Sequence, residues 1–134
     1  MSKSEVSPTE EEVPFDDLAA ASYYAVTEGV DASQVNKLLE VLESTKSVKS
    51  LLLFLVRQVS RRGWGRGTSA RYLFQVLRDL EGKKSIEDVR RILGLFKWLY
   101  EAGRERGRYF PRMDPGMPAK EGFFYEYLER CLSR

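Results

Sequence analysis

The stretch from Thr68 to Tyr100, TSARYLFQVLRDLEGKKSIEDVRRILGLFKWLY, decides the fold. Leu73, Val76, Leu77 and Leu80 recur at i, i+3, i+4 and i+7, which places them on one face of an α-helix. Thr68 is a good N-cap for this helix, and Gly82 marks its end. The same periodicity restarts after Ser85, where Ser85 and Asp88 have the spacing of a capped helix start. Val89, Ile92, Leu93, Phe96, Leu99 and Tyr100 then form the apolar face of the longest predicted helix, which runs to about Gly103.

The pattern holds on both sides of this stretch. Phe15 to Glu28 reads as an Ala- and Tyr-rich helix stopped by Gly29. Asp31 with Gln34 resembles a capping box for a helix through about Glu43, with Val35, Leu38, Leu39 and Leu42 as its stripe. Ser47 starts a helix that carries the apolar run Leu51 to Val56 and ends at Gly63. Residues 107 to 119 hold Pro111, Pro115 and Pro118 with Gly107 and Gly116, and read as a loop. Lys120 to Leu132 forms an aromatic C-terminal helix. Its Phe123, Phe124, Tyr127, Leu128 and Leu132 belong to the core or to a seam with another subunit, and Tyr125 sits opposite. No segment alternates like a strand between hairpin turns. The expected fold is all-α: a compact bundle of five to six helices over residues 15–134, one domain, after a disordered acidic tail at 1–14.

Composition narrows the function classes. The 134 residues contain no histidine and one cysteine, Cys131. The usual general base and every Ser–His or Cys–His pairing are therefore missing. No cysteine cluster exists to hold a metal, and Cys131 reads as a small buried hydrophobe. The pairs Asp16/Asp17 and Glu87/Asp88 stand at helix starts, where acids suit the helix dipole. The loop RRGWGRGTS lacks the glycine–lysine spacing of a phosphate-binding NTPase loop. The chain reads as a non-enzyme without cofactor. The longest apolar run, six residues, is too short for a bilayer, so no membrane role is expected and the cytoplasm is the default location.

The formal charge of +2 conceals a division along the chain. Residues 1 to 54 carry 4 basic and 10 acidic side chains, while residues 55 to 112 carry 15 basic and 6 acidic. Only Lys83, Lys84 and Lys97 among those fifteen are lysines. Arginine grips phosphate with a planar fork and stacks on bases, so the bias suits a nucleic acid. Arg71, Gln75 and Arg78 form a polar stripe away from the core face of their helix. Arg90, Lys97 and Arg104 form another with Gly94, where a glycine would let a second backbone approach. Arg57 and Arg61 project from the end of the preceding helix, and Arg61, Arg62 and Arg66 interleave with glycines and Trp64 in the loop. Trp64 either offers a ring for base stacking or tucks into the core. The expected RNA-backbone contacts are Arg61, Arg66, Arg71, Arg78, Lys97 and Arg104, aided by the free N–H groups of the Thr68 helix.

Three pieces carry a family resemblance: TSARYLFQVLRDL, RRILGLFKWLYEAGRERGRYF and KEGFFYEYLERCL. Over about residues 60 to 134 the chain resembles the small subunit of type III-A CRISPR effector complexes. Thr68, Ala70 and Arg71 fill the family's capped-helix start. Leu95, Tyr100, Ala102, Gly103 and Arg104 fill its L-x-x-x-x-Y-x-A-G-R-like segment, and Phe123 with Phe124 its late aromatic pair. The resemblance implies a non-catalytic helical subunit of an antiviral ribonucleoprotein. It implies partners too: guide and target RNA, the backbone and large subunits, and further copies of itself. Base pairing would supply the sequence choice. The residues also leave open a small subunit of another type III complex, a helix-turn-helix DNA-binding regulator reading with the Thr68 helix, and a structural adaptor for an acidic protein.

Overall fold

Ala19, Ala20 and Ala21 set the architecture. Small side chains on every side of one helix let several neighbours approach its backbone at once. In the computed structural model, which describes residues 13–106 and 112–133, this helix is α1 (Phe15–Thr27). Leu18 through Tyr23 and Ala25 are buried along it. Five further α-helices follow among the described residues: α2 (Ala32–Thr45), α3 (Val48–Ser60), α4 (Thr68–Leu80), α5 (Ile86–Arg104) and α6 (Phe123–Leu132). A 3-10 turn, Met117–Ala119, interrupts the described part of the segment read as loop. These residues contain no strand, so the chain is all-α as the periodicity predicts. The tail expected at 1–14 falls almost wholly outside the described residues; of it, Val13 and Pro14 lead directly into α1. The expected loop residues 107–111 also lie outside them.

Helix packing forms a cycle. α1 packs against α4, α5 and α6; α3 packs against α4 and α2; and α2 returns to α5. The predicted faces do the packing: Leu73, Val76, Leu77 and Leu80 of α4 are buried, as are Val89, Ile92, Leu93, Phe96, Leu99 and Tyr100 of α5. They join the α1 alanines in one hydrophobic cluster. Buried hydroxyls fasten the helices where alanine leaves the backbone within reach. Ser69 Oγ donates to the Ala21 carbonyl at 2.7 Å and ties α4 to α1. Ser22 Oγ reaches the carbonyls of Leu18 and Phe96, at 2.9 and 3.2 Å, and ties α1 to α5. Each such bond contributes about 1 kcal/mol net, and more is lost when the buried partner is stranded.

The helix ends show where local rules were modified by packing. Gly29 takes φ +75° after α1, and the N–H groups of Gly29 and Val30 bond back to Val26 and Ala25 in a Schellman turn. Ser47 and Ser85 accept from the N–H groups of Ser50 and Asp88, each at 3.1 Å, as expected. Asp31 caps α2 through the Ser33 N–H, but the capping box is incomplete. Gln34 instead accepts from Gln58 Nε2 at 2.9 Å, so its side chain joins α2 to α3 rather than turning back on its own helix. Thr68 is the first helical residue and not the cap. Gly67, at φ +90°, holds the cap position, and no side chain caps α4. α3 ends three residues before Gly63, with Arg62 in the left-handed region at φ +62°.

α6 depends on α1 and α5. Asp16 accepts from the N–H groups of Gly122 and Phe124, each at 2.9 Å, and so caps α6 from across the fold. Tyr127 lies over Gly103 and donates to the Leu99 carbonyl at 2.6 Å, and burial pushes its phenol well above the usual tyrosine range. A Cβ at Gly103 would stand 2.2 Å from the Tyr127 hydroxyl oxygen. The glycine that carries part of the family resemblance therefore has a packing role here. Phe123 and Tyr127 are buried as expected, whereas Leu132 is 83% exposed and belongs to no core. Tyr125 points outward, and Cys131 is half-buried with its thiol pushed upward by burial.

Candidate nucleic-acid interface

The loop between α3 and α4 is shaped by the tryptophan at its centre. Trp64 is fully buried and lies against Phe96 at a ring separation of 6.2 Å. The base-stacking role considered for it is therefore excluded, and its indole N–H has no partner among the described residues. Its burial draws the loop onto α1. A Cβ at Gly65 would stand 2.6 Å from Glu28 Cβ, and one at Gly63 would stand 3.2 Å from Gln34 Nε2. These glycines permit close packing and do not serve as a flexible phosphate track. Glu28 Oε1 is buried in the process without a hydrogen-bond partner. The loop arginines stay outside: Arg61, Arg62 and Arg66 are exposed.

Packing of α3 against α4 sets these cations beside those of the two helices. Residues 45 to 78 contain eight lysines and arginines and no aspartate or glutamate. This acid-free window begins ten residues before the basic stretch inferred from the charge totals and adds exposed Lys49 to the candidate surface; Arg57, also exposed, lies within both. It was legible in the sequence as a gap in the acids rather than a peak in the bases. Among the described residues, no carboxylate stands within ion-pair distance of Arg57, Arg61, Arg66, Arg71 or Arg78. Arg71 and Arg78 share the outward stripe of α4, about 10 Å apart along its axis. Gln75 between them bonds to Asp79 at 3.1 Å. Arg66 and Arg71 border the same groove between α3 and α4, and Arg66 also lines a polar cleft with Arg112, Tyr24, Thr68 and the acid Glu28.

The α5 stripe has a different setting. α2 runs beside it, and two glutamates take up Arg90: Glu43 of α2 by a hydrogen-bonded ion pair, and Glu87 of α5 at 2.5 Å. Those hydrogen bonds, Glu87 first, raise the Arg90 pKa, and the Arg90 guanidinium holds the Glu43 carboxyl below its ordinary range. Arg104, at the other end of the stripe, lies in the field of Asp31 at the start of α2. The Asp31 carboxyl is held low first by hydrogen bonds from Ser33 and, more weakly, by Arg104. Lys97 is half-buried between these two ends. A Cβ at Gly94 would meet nothing within 4 Å beyond its own helix, so no backbone among the described residues uses the gap it leaves. α4 borders α1 and α3, whereas α5 borders α1 and α2. The fold thus brings Arg66 and Arg71 to one groove, with Arg61 at the end of α3 and Arg78 further along α4, whereas Arg90 and Arg104 of the α5 stripe lie near acids of α2.

The opposite character appears between α5 and α6. Trp98, 72% exposed, Leu95 and Ala102 face Phe124 and Leu128 across an apolar groove floored by Phe15 and Leu99. Sequence periodicity missed Trp98, because it falls outside the α5 core stripe and an isolated aromatic at such a position has no partner to mark it. No group of three or more His, Cys, Asp or Glu side chains able to hold a metal occurs among the described residues. No helix among them is long and apolar enough to cross a membrane. The chain matches no family model, no curated protein and no solved structure.

Proposed function

We propose that this chain is a non-catalytic RNA-binding subunit of a ribonucleoprotein complex, and specifically the small subunit of a type III-A CRISPR effector. The observation that carries the RNA-binding part is the α3–α4 hairpin: exposed arginines from a helix, a loop and a second helix, without carboxylates to neutralise them. A cationic surface built mainly from arginine, with no described carboxylate at ion-pair distance, suits a phosphate backbone and gives affinity without reading sequence. In this reading Arg61, Arg66, Arg71 and Arg78 make the principal contacts, while Lys97 and Arg104 add attraction at longer range. The motif resemblance over residues 60 to 134 supports the choice of complex. The exposed Trp98 groove supports a protein neighbour such as a backbone subunit, the large subunit or another copy, since exposed tryptophan in an apolar setting is typical of interface anchors.

Fluorescence anisotropy with unstructured single-stranded RNA tests the RNA-binding part. Binding should depend little on sequence and weaken in Arg71→Ala/Arg78→Ala. Strong preference for one duplex DNA sequence would point to the regulator reading instead. That reading gains little from α4, whose Ser69 and Ala70 near the N-terminus are buried. Co-purification with the backbone and large subunits of a guide-RNA effector tests the assembly part. A chain that binds RNA yet never enters such a complex would contradict it.

A further inference from the structure

We infer that the groove between α3 and α4 receives an unpaired nucleobase, so that the surface holds single-stranded RNA by its bases as well as by its phosphates. The inference rests on the RNA-binding reading above and specifies the state of the RNA. Val56, Val59, Ala70 and Phe74 line the groove, and the guanidinium-bearing residues Arg66 and Arg71 border it. Its volume is about 190 Å³. That is below the roughly 300 Å³ at which drug-sized ligand pockets begin, and it suits a single flat ring. Phe74 is half-buried and offers an aromatic surface that the buried Trp64 cannot. Val56 and Leu53, 48% and 71% exposed, extend the apolar strip along α3 for a neighbouring base.

Surface chemistry selects the occupant. An apolar groove with an aromatic residue beside arginines is the arrangement with which proteins hold single strands: bases stack while cations follow the backbone. A duplex would keep its bases paired and present only phosphates. An acidic amphipathic helix would also meet the charge and could run along exposed Leu53 and Val56, but the groove volume beside Arg66 and Arg71 suits one ring rather than the i, i+3 or i+4 and i+7 anchors of a helix.

The test compares two ribo-oligonucleotides of equal length and charge, oligouridylate and its abasic counterpart, bound to the full chain at low salt. Base insertion predicts at least about fivefold tighter binding of the oligouridylate, the lower end for one stacked base. Phe74→Ala should remove most of that difference and leave abasic binding unchanged. Val56→Ser, at a half-exposed position that folding tolerates, should reduce it in part. Equal binding of both oligonucleotides to the wild-type chain overturns base insertion and leaves the backbone reading standing. Loss of binding to both defeats the two together. Equal binding accompanied by Phe74-dependent capture of an acidic Leu/Glu amphipathic peptide assigns the slot to a protein helix, and likewise overturns the proposal.

Discussion

The α3–α4 hairpin and the α2–α5 seam carry the same kind of sequence feature in different electrostatic settings. Each has basic residues seven apart on a helix, Arg71 and Arg78 in the first, Arg90, Lys97 and Arg104 in the second. On the hairpin, the packed neighbour α3 contains no acid. On the seam, α2 brings Glu43 onto Arg90 and Asp31 near Arg104. The electrostatic setting of a basic stripe therefore depends on the helix beside it. Where that helix supplies carboxylates, one of them pairs with Arg90; where it supplies none, no described carboxylate pairs with Arg71 or Arg78.

The largest expected effect concerns the fold on the α5 side. Gly103→Ala forces the Tyr127 hydroxyl off its site above the helix and should cost about 3 kcal/mol, at the upper end for overpacking. Chemical denaturation measures this, and any fraction that still folds should bind RNA normally. A tolerated alanine would mean that the glycine serves an external contact instead. Next comes the hairpin itself. Arg66→Ala/Arg71→Ala/Arg78→Ala should weaken single-stranded RNA binding about a hundredfold near 0.1 M salt, from about 0.7 released counterions per lost contact. Its thermal stability should change little, because no ion pair in the described structure is lost.

Lys97→Ala/Arg104→Ala sharpens the comparison from the other side. If the seam cations act only at a distance, RNA affinity falls less than about fivefold, below the effect of one lost phosphate contact. A loss equal to that of the hairpin variant would join the two surfaces in one binding face. The smallest effect belongs to Arg90→Ala, which should leave RNA binding unchanged and slightly lower the melting temperature at neutral pH. The sign follows from Glu43. Its folded pKa is depressed, so its contribution is present above the ordinary value of 4.5 and lost as pH falls through the lowered one. Wild-type and variant melting curves should therefore converge in acid and in high salt.

Helix positions and core faces were legible because each depends on a local period. Leu73 to Leu80 and Val89 to Tyr100 mark their buried sides without reference to any other segment. The misread features depend on partners distant in sequence. Gln34 leaves its own helix start for Gln58, 24 residues away. Trp64 exchanges solvent for Phe96, and α6 takes its cap from Asp16, more than 100 residues upstream. The same holds for charge. Spacing alone could not show that Arg90 meets Glu43 of α2 and that Arg104 lies near Asp31, while no described carboxylate pairs with Arg61, Arg66, Arg71 or Arg78. The acid-free window at 45–78 is present in the sequence and marks where the cations have no acid nearby along the chain.

Photo-crosslinking of the full chain to single-stranded RNA containing 4-thiouridine, followed by peptide mass spectrometry, tests the central claim most directly. The account predicts that crosslinked uridine concentrates in residues 53–78, on α3, the loop and α4, and is sparse on α5. Crosslinks gathered on residues 90–104, or scattered evenly over the surface, would contradict it.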